Sequence, residues 1–84
     1  MVSIEFKLFA DLMQYLPANA KQQSVKLEMP DGSTIYDLMD RFQIPREQAH
    51  LVIRNGRFVP PSQCMRYQLR NGDIIALWPP VAGG

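Results

Sequence analysis

The chain has 84 residues, 46% of them hydrophobic, with nine basic and eight acidic side chains. That describes one small domain with enough apolar content to close a core, and it excludes a disordered chain. A net charge of +1 without a Lys/Arg stripe gives no electrostatic support for a nucleic-acid surface.

The N-terminus, "MVSIEFKLFADLM", carries Glu5, Lys7 and Asp11 and lacks the uncharged apolar core of a signal peptide. No run reaches membrane-spanning length. Cys64 is the single cysteine and cannot form an internal disulfide. The expectation is a cytoplasmic protein.

Residues 3–9, "SIEFKLF", alternate, with Ile4, Phe6 and Leu8 to one side and Glu5 and Lys7 to the other. This predicts a half-buried strand. "ADLMQYLP" predicts a short helical turn stopped by Pro17. A second alternating strand, "SVKLEM", follows a polar loop, so the connection is longer than a tight hairpin. "PDGS" is a turn. Ile35, Leu38, Met39 and Phe42 then form one helical stripe. Ser33 or Thr34 can cap that helix, with Asp37 in a capping-box position, and Pro45 bounds its far end. "LVIRNGRFV" predicts a hairpin around Asn55-Gly56. Pro60-Pro61 ends it, and "SQCMRYQL" has room for one helical turn. "RNGD" turns the chain into a last strand, "IIALW", residues 74–78.

This order predicts an α+β domain: a mixed sheet of about four to five strands with one main helix on one face. The matching arrangement is the β-grasp, or ubiquitin-like, fold, with the last strand in the middle. Residues 1–78 form the domain and residues 79–84 a flexible, extended tail.

Side-chain chemistry is sparse. His50 and Cys64 are the only residues of their kinds, and no set of metal ligands has compatible spacing. Gly32, Gly56 and Gly72 sit in isolated turns rather than in a phosphate loop. Asp31, Asp37, Asp40 and Asp73 fit turns and an exposed helix face. Arg54, Arg57, Arg66 and Arg70 cluster in the second half, where a solvated surface accounts for them, with an acidic partner as the alternative.

The tail, "PPVAGG", is different. Two glycines at the last two positions arise by chance in roughly one chain in 200. Pro79 and Pro80 cannot extend a sheet, so the chain leaves the domain extended. Six residues span at most about 20 Å, enough to enter another protein's active site. Gly83 and Gly84 pass a narrow channel because they lack Cβ. A carboxylate activated by AMP then becomes open to a sulfur nucleophile. The reactive atom is the main-chain carboxyl of Gly84, and Val81 and Ala82 carry it outward.

"LFA" after the first strand, "NG" before Val59, "LRNGDIIAL" and "PPVAGG" together resemble the MoaD/ThiS family of ubiquitin-like sulfur carriers, most of all the small subunit of molybdopterin synthase. The resemblance covers nearly the whole chain. It implies that a ubiquitin-activating-like adenylyltransferase uses ATP to adenylate Gly84. A sulfurtransferase or cysteine desulfurase system then forms the thiocarboxylate, and the large synthase subunit receives the tail. The carrier itself binds no cofactor. By position, Phe9, Phe58 and Trp78 would meet the partner. "DLMQYLP" departs from the Arg-Glu loop of many molybdopterin carriers, and thiamine-pathway carriers lack this helical segment. The alternatives are a carrier for thiamine or another sulfur metabolite, a modifier joined to lysines, and an interaction module with an idle tail.

Overall fold

The computed structural model describes residues 1–80. Five strands, β1 (Val2–Leu8), β2 (Ser24–Met29), β3 (Leu51–Arg54), β4 (Arg57–Phe58) and β5 (Ile74–Trp78), form one sheet in the order β2-β1-β5-β3-β4. The parallel pair is β1 with β5, and the other neighbours are antiparallel. The last strand is therefore central, with the hairpin-derived β3 and β4 to one side. Helix α1 (Ile35–Arg41) supplies the layer that covers one face, and a single turn, α2 (Pro61–Cys64), packs Cys64 into the same core. No helix of the described residues is long and apolar enough to cross a membrane.

The alternation of β1 decides which face is covered. Ile4, Phe6 and Leu8 are buried, and their register sets Val25 of β2 and Ile75 and Leu77 of β5 on the same side. Ile35, Leu38 and Met39 close over them, each fully buried. Burial of this kind contributes about 1.5–3 kcal/mol for each large apolar side chain.

The helix begins where the sequence places its cap. Thr34 Oγ1 accepts from the Asp37 N–H at 3.2 Å, and Asp37 Oδ2 accepts from the Thr34 N–H at 2.9 Å. The far end is set earlier than Pro45. Gln43 adopts φ +58°, and the N–H groups of Gln43 and Ile44 return to the carbonyls of Asp40 and Met39. That reciprocal pair closes the last turn. Phe42 lies at the cap rather than within the helix, yet its ring still packs on Phe6 at 5.4 Å.

Between β1 and β2 the chain forms a 3-10 helix, Ala10–Tyr15, which buries Leu12. It stops at Leu16, held extended by the following proline. The β3–β4 turn has positive φ at both Asn55 (+51°) and Gly56 (+85°), the combination that matches strand twist in a two-residue hairpin.

Candidate functional site

Because α1 covers one face, the alternate residues of every strand are left on the other. Register identifies them. Ile74 lies opposite Glu5, Ala76 lies between Lys7 and Ile53, Ile53 lies opposite Phe58, and Trp78 lies opposite Leu51. The uncovered face therefore divides into two halves. Over β2 and β1 it carries Lys26, Glu28, Glu5 and Lys7. Over β5, β3 and β4 it is apolar. Phe58 is 57% exposed and Ile74 39%, while Leu51, Ile53 and Trp78 are half-buried. Ala76 is buried beneath its larger neighbours.

The tail leaves from one corner of this apolar half. The Phe9 N–H donates to the Leu77 carbonyl at 3.2 Å, and the His50 N–H donates to the Trp78 carbonyl at 2.9 Å. The chain is thus held from both sides up to its last strand residue. Phe9 stacks on Trp78 with ring centroids 4.3 Å apart and planes 2° from parallel. Ala10, immediately after Phe9, has φ +53°, a left-handed conformation costly for a residue with a Cβ. Pro79 is half-buried beside the stack and Pro80 is exposed.

Of the expected partner-facing residues, the structure brings Phe9 and Trp78 into contact. It places Phe58 one row away on the same face, on the edge strand. Val81, Ala82, Gly83 and Gly84 lie outside the described residues. Ile74 belongs to the run 74–78, which is apolar on both alternating faces although one helix layer covers only one of them. Leu51 and Ile53 extend this apolar half and carry no comparable mark in the sequence; their signal is the apolar alternate position of β3.

Other groups have clear surroundings. His50 is exposed, and its backbone braces the tail root. Burial pushes the Cys64 thiol above its ordinary pKa, and its Sγ lies 3.8 Å from the Val59 carbonyl, the setting of an inert structural thiol. Among the described residues no three His, Cys, Asp or Glu side chains gather as a metal site. A hollow of about 490 Å³ lies at the end of the sheet away from the tail, against Glu5, Lys26, Glu28 and Ile74. It holds no paired nucleophile and base.

Asp73 and Arg54 depart from the simple surface reading. Asp73 does lie in a turn, but it is buried. Its carboxylate accepts from Asn55 Nδ2 (3.0 Å), the Tyr67 hydroxyl (3.3 Å) and the Arg70 N–H (2.9 Å). Arg54 lies over the Tyr67 ring at 3.7 Å, with Nε 3.7 Å from Asp73 Oδ1. Burial first, and then the Asp73 carboxylate, raise the Tyr67 pKa above its ordinary value. Spacing in the sequence shows the turn at Asp73 but not the hairpin and loop that fold over it.

Comparison with known proteins places the chain. The ThiS family model matches residues 6–84, whereas no curated protein sequence gives a significant match. SAMP1 from Haloferax volcanii is 28% identical over 98% of this chain and 99% of that chain, with a TM-score of 0.67. The small archaeal modifier protein 1 from Methanosarcina acetivorans is 20% identical over 100% and 98%, with a TM-score of 0.65. A chain in the complex of subunits 1 and 2 of the molybdopterin-converting factor from Helicobacter pylori is 18% identical over 99% and 100%, with a TM-score of 0.59. The last two share the fold. With its β-grasp architecture and a family match spanning the sheet and the tail, the chain belongs to the ThiS family, in the ThiS/MoaD group of ubiquitin-like sulfur carriers and modifiers.

Proposed function

We propose that the protein is a sulfur carrier whose reactive group is the Gly84 carboxylate, and that it donates sulfur in molybdopterin formation. The observation that carries this reading is the placement of the tail root. The central strand ends at a braced aromatic stack, on the margin of an uncovered apolar face. An apolar face of this kind fits a protein partner, and a tail leaving its margin would enter that partner as the face docks. Phe9, Trp78 and Phe58 are the anchors of that contact. ATP serves the activating enzyme: the Gly84 carboxylate attacks the α-phosphate and releases pyrophosphate to form the acyl adenylate. A persulfide on the sulfur donor displaces AMP to give an acyl disulfide, and a second thiol cleaves that bond, leaving the thiocarboxylate on Gly84 and a disulfide on the donor. The partners are the adenylyltransferase, a sulfurtransferase or cysteine desulfurase, and a large synthase subunit. The last is supported by the two-subunit Helicobacter pylori complex that contains a similar chain.

Intact mass spectrometry after co-expression with the activating enzyme tests the proposal. A fraction of the chain heavier by the exchange of one oxygen for sulfur at Gly84 is expected. Only unmodified carboxylate under those conditions overturns the carrier reading. Co-purification with a pterin-binding subunit identifies the acceptor pathway, and a thiamine-forming partner overturns the molybdopterin assignment alone. The 28% identity to SAMP1 favours a second reading, in which the same activated carboxyl joins lysines of other proteins. Gly84 found in isopeptide linkage establishes it.

A further inference from the structure

The charges of this chain are unevenly divided. Before residue 49 there are seven carboxylates and five basic side chains, and from there on one carboxylate and four arginines. That one carboxylate, Asp73, is buried and already occupied by Asn55, Tyr67, the Arg70 backbone and Arg54. Among the described residues Arg57, Arg66 and Arg70 are exposed and have no carboxylate within ion-pair distance.

The fold draws three of these arginines together. Arg54 and Arg57 are directly opposite across β3 and β4, a like-charge arrangement that disfavours the hairpin. Both point to the side away from Phe58, because Phe58 pairs with Ile53 on the other face. Arg54 is fixed in direction by its stack on Tyr67. Arg70 follows that loop, and its backbone N–H donates at 2.9 Å to Asp73, the carboxylate that Arg54 approaches at 3.7 Å. This pole is also set back from the point where the chain leaves β5. Arg54 lies opposite Ile75, four residues before Pro79, or about 13 Å along the strand.

We propose that Arg54, Arg57 and Arg70 form a second docking surface, which meets an acidic protein surface while the tail and apolar face remain available to another contact. Charge complementarity identifies the occupant. A pre-oriented guanidinium and two unpaired neighbours suit carboxylates, with which arginine pairs in a bidentate manner. Asp73 already offsets the charge of Arg54, so Arg57 and Arg70 are the two arginines of the pole that would gain a carboxylate from such a partner. In the carrier reading, this lets one protein hold the pole while another receives the tail. The pole itself uses no Gly84 chemistry, so the two readings fail separately.

The test is a titration of the ¹⁵N-labelled full chain with a ten-residue Asp/Glu peptide at low salt. Saturable shifts are expected at the amides of Arg54, Arg57, Tyr67 and Arg70. The Arg57→Glu/Arg70→Glu variant should weaken binding about tenfold or more, and raised salt should weaken it as well. A Lys21→Glu/Lys26→Glu control makes the same charge change elsewhere and should shift affinity by less than about twofold. Equal losses in both variants would reduce the effect to net charge and overturn the proposal. So would the absence of saturable shifts. Preference for a heparin oligosaccharide over the peptide would assign the pole to sulfated polyanions instead of a protein surface, and would also overturn it.

Discussion

The stack of Phe9 on Trp78 is open to a double-mutant cycle. Each ring is half-buried, so each single change to alanine forfeits roughly half of the 3–5 kcal/mol typical of a fully buried aromatic, about 2 kcal/mol. Nearly parallel rings with centroids 4.3 Å apart add a coupling of about 0.5–1.5 kcal/mol beyond area. The double variant should therefore be more stable than the sum of the single losses implies, by that amount. Urea unfolding of the four proteins measures it, and each kcal/mol also moves Tm by about 4–8 °C in a domain of this size. A coupling below about 0.3 kcal/mol, the usual scatter between independent sites, would show that the rings do not stack in solution. The tail root would then not be a braced corner. If the stack holds, Phe9→Ala should leave the fold intact while weakening any partner that docks on this corner.

Other expectations follow from the same geometry. Thr34→Ala removes the capping oxygen of α1 and should cost about 1 kcal/mol in chemical denaturation. Asp73→Asn takes the charge from a buried node with three hydrogen-bond donors and should cost about 1–3 kcal/mol. It should also lower the Tyr67 titration, read by phenolate absorbance, because the Asp73 carboxylate is one cause of the raised value. Cys64 should resist thiol reagents until the domain unfolds, since burial favours its protonated form. A raised folded pKa means that the unfolded chain loses its proton first. The stability Cys64 contributes is therefore complete below the ordinary thiol pKa of about 8.5 and declines as pH rises from there to the folded value. Cys64→Ala should flatten that alkaline decline.

The local features were legible because each rests on short-range chemistry. Alternation placed β1 and β2, and the turn at residues 70–73 followed by an apolar run placed β5. Two positive-φ residues required by a tight hairpin placed the Asn55-Gly56 turn, and Thr34 with Asp37 placed the start of α1. The far end of α1 was not legible, because Gln43 in a left-handed conformation carries no such signal and does what Pro45 was expected to do. In sequence, Arg54 and Asp73 look like ordinary surface and turn residues for a similar reason. Nothing within a few positions of either shows that Tyr67 and Asn55 will close over them.

The sequence by itself determined the element order and the inward faces of β1 and β2, and it pointed to the tail as the place to look for chemistry. Periodicity and turn residues act over distances the chain itself spans. The tertiary structure decided what each outward face became. Parallel pairing of β1 with β5 laid Phe9 on Trp78 at the root of the tail, and one helix covering one side left Leu51, Ile53, Ile74 and Phe58 as a continuous apolar half. The hairpin folding back toward the Tyr67 loop neutralised one arginine and gathered two others beside it. Those outcomes depend on contacts between residues far apart in the chain, and such contacts exist only once the sheet has formed.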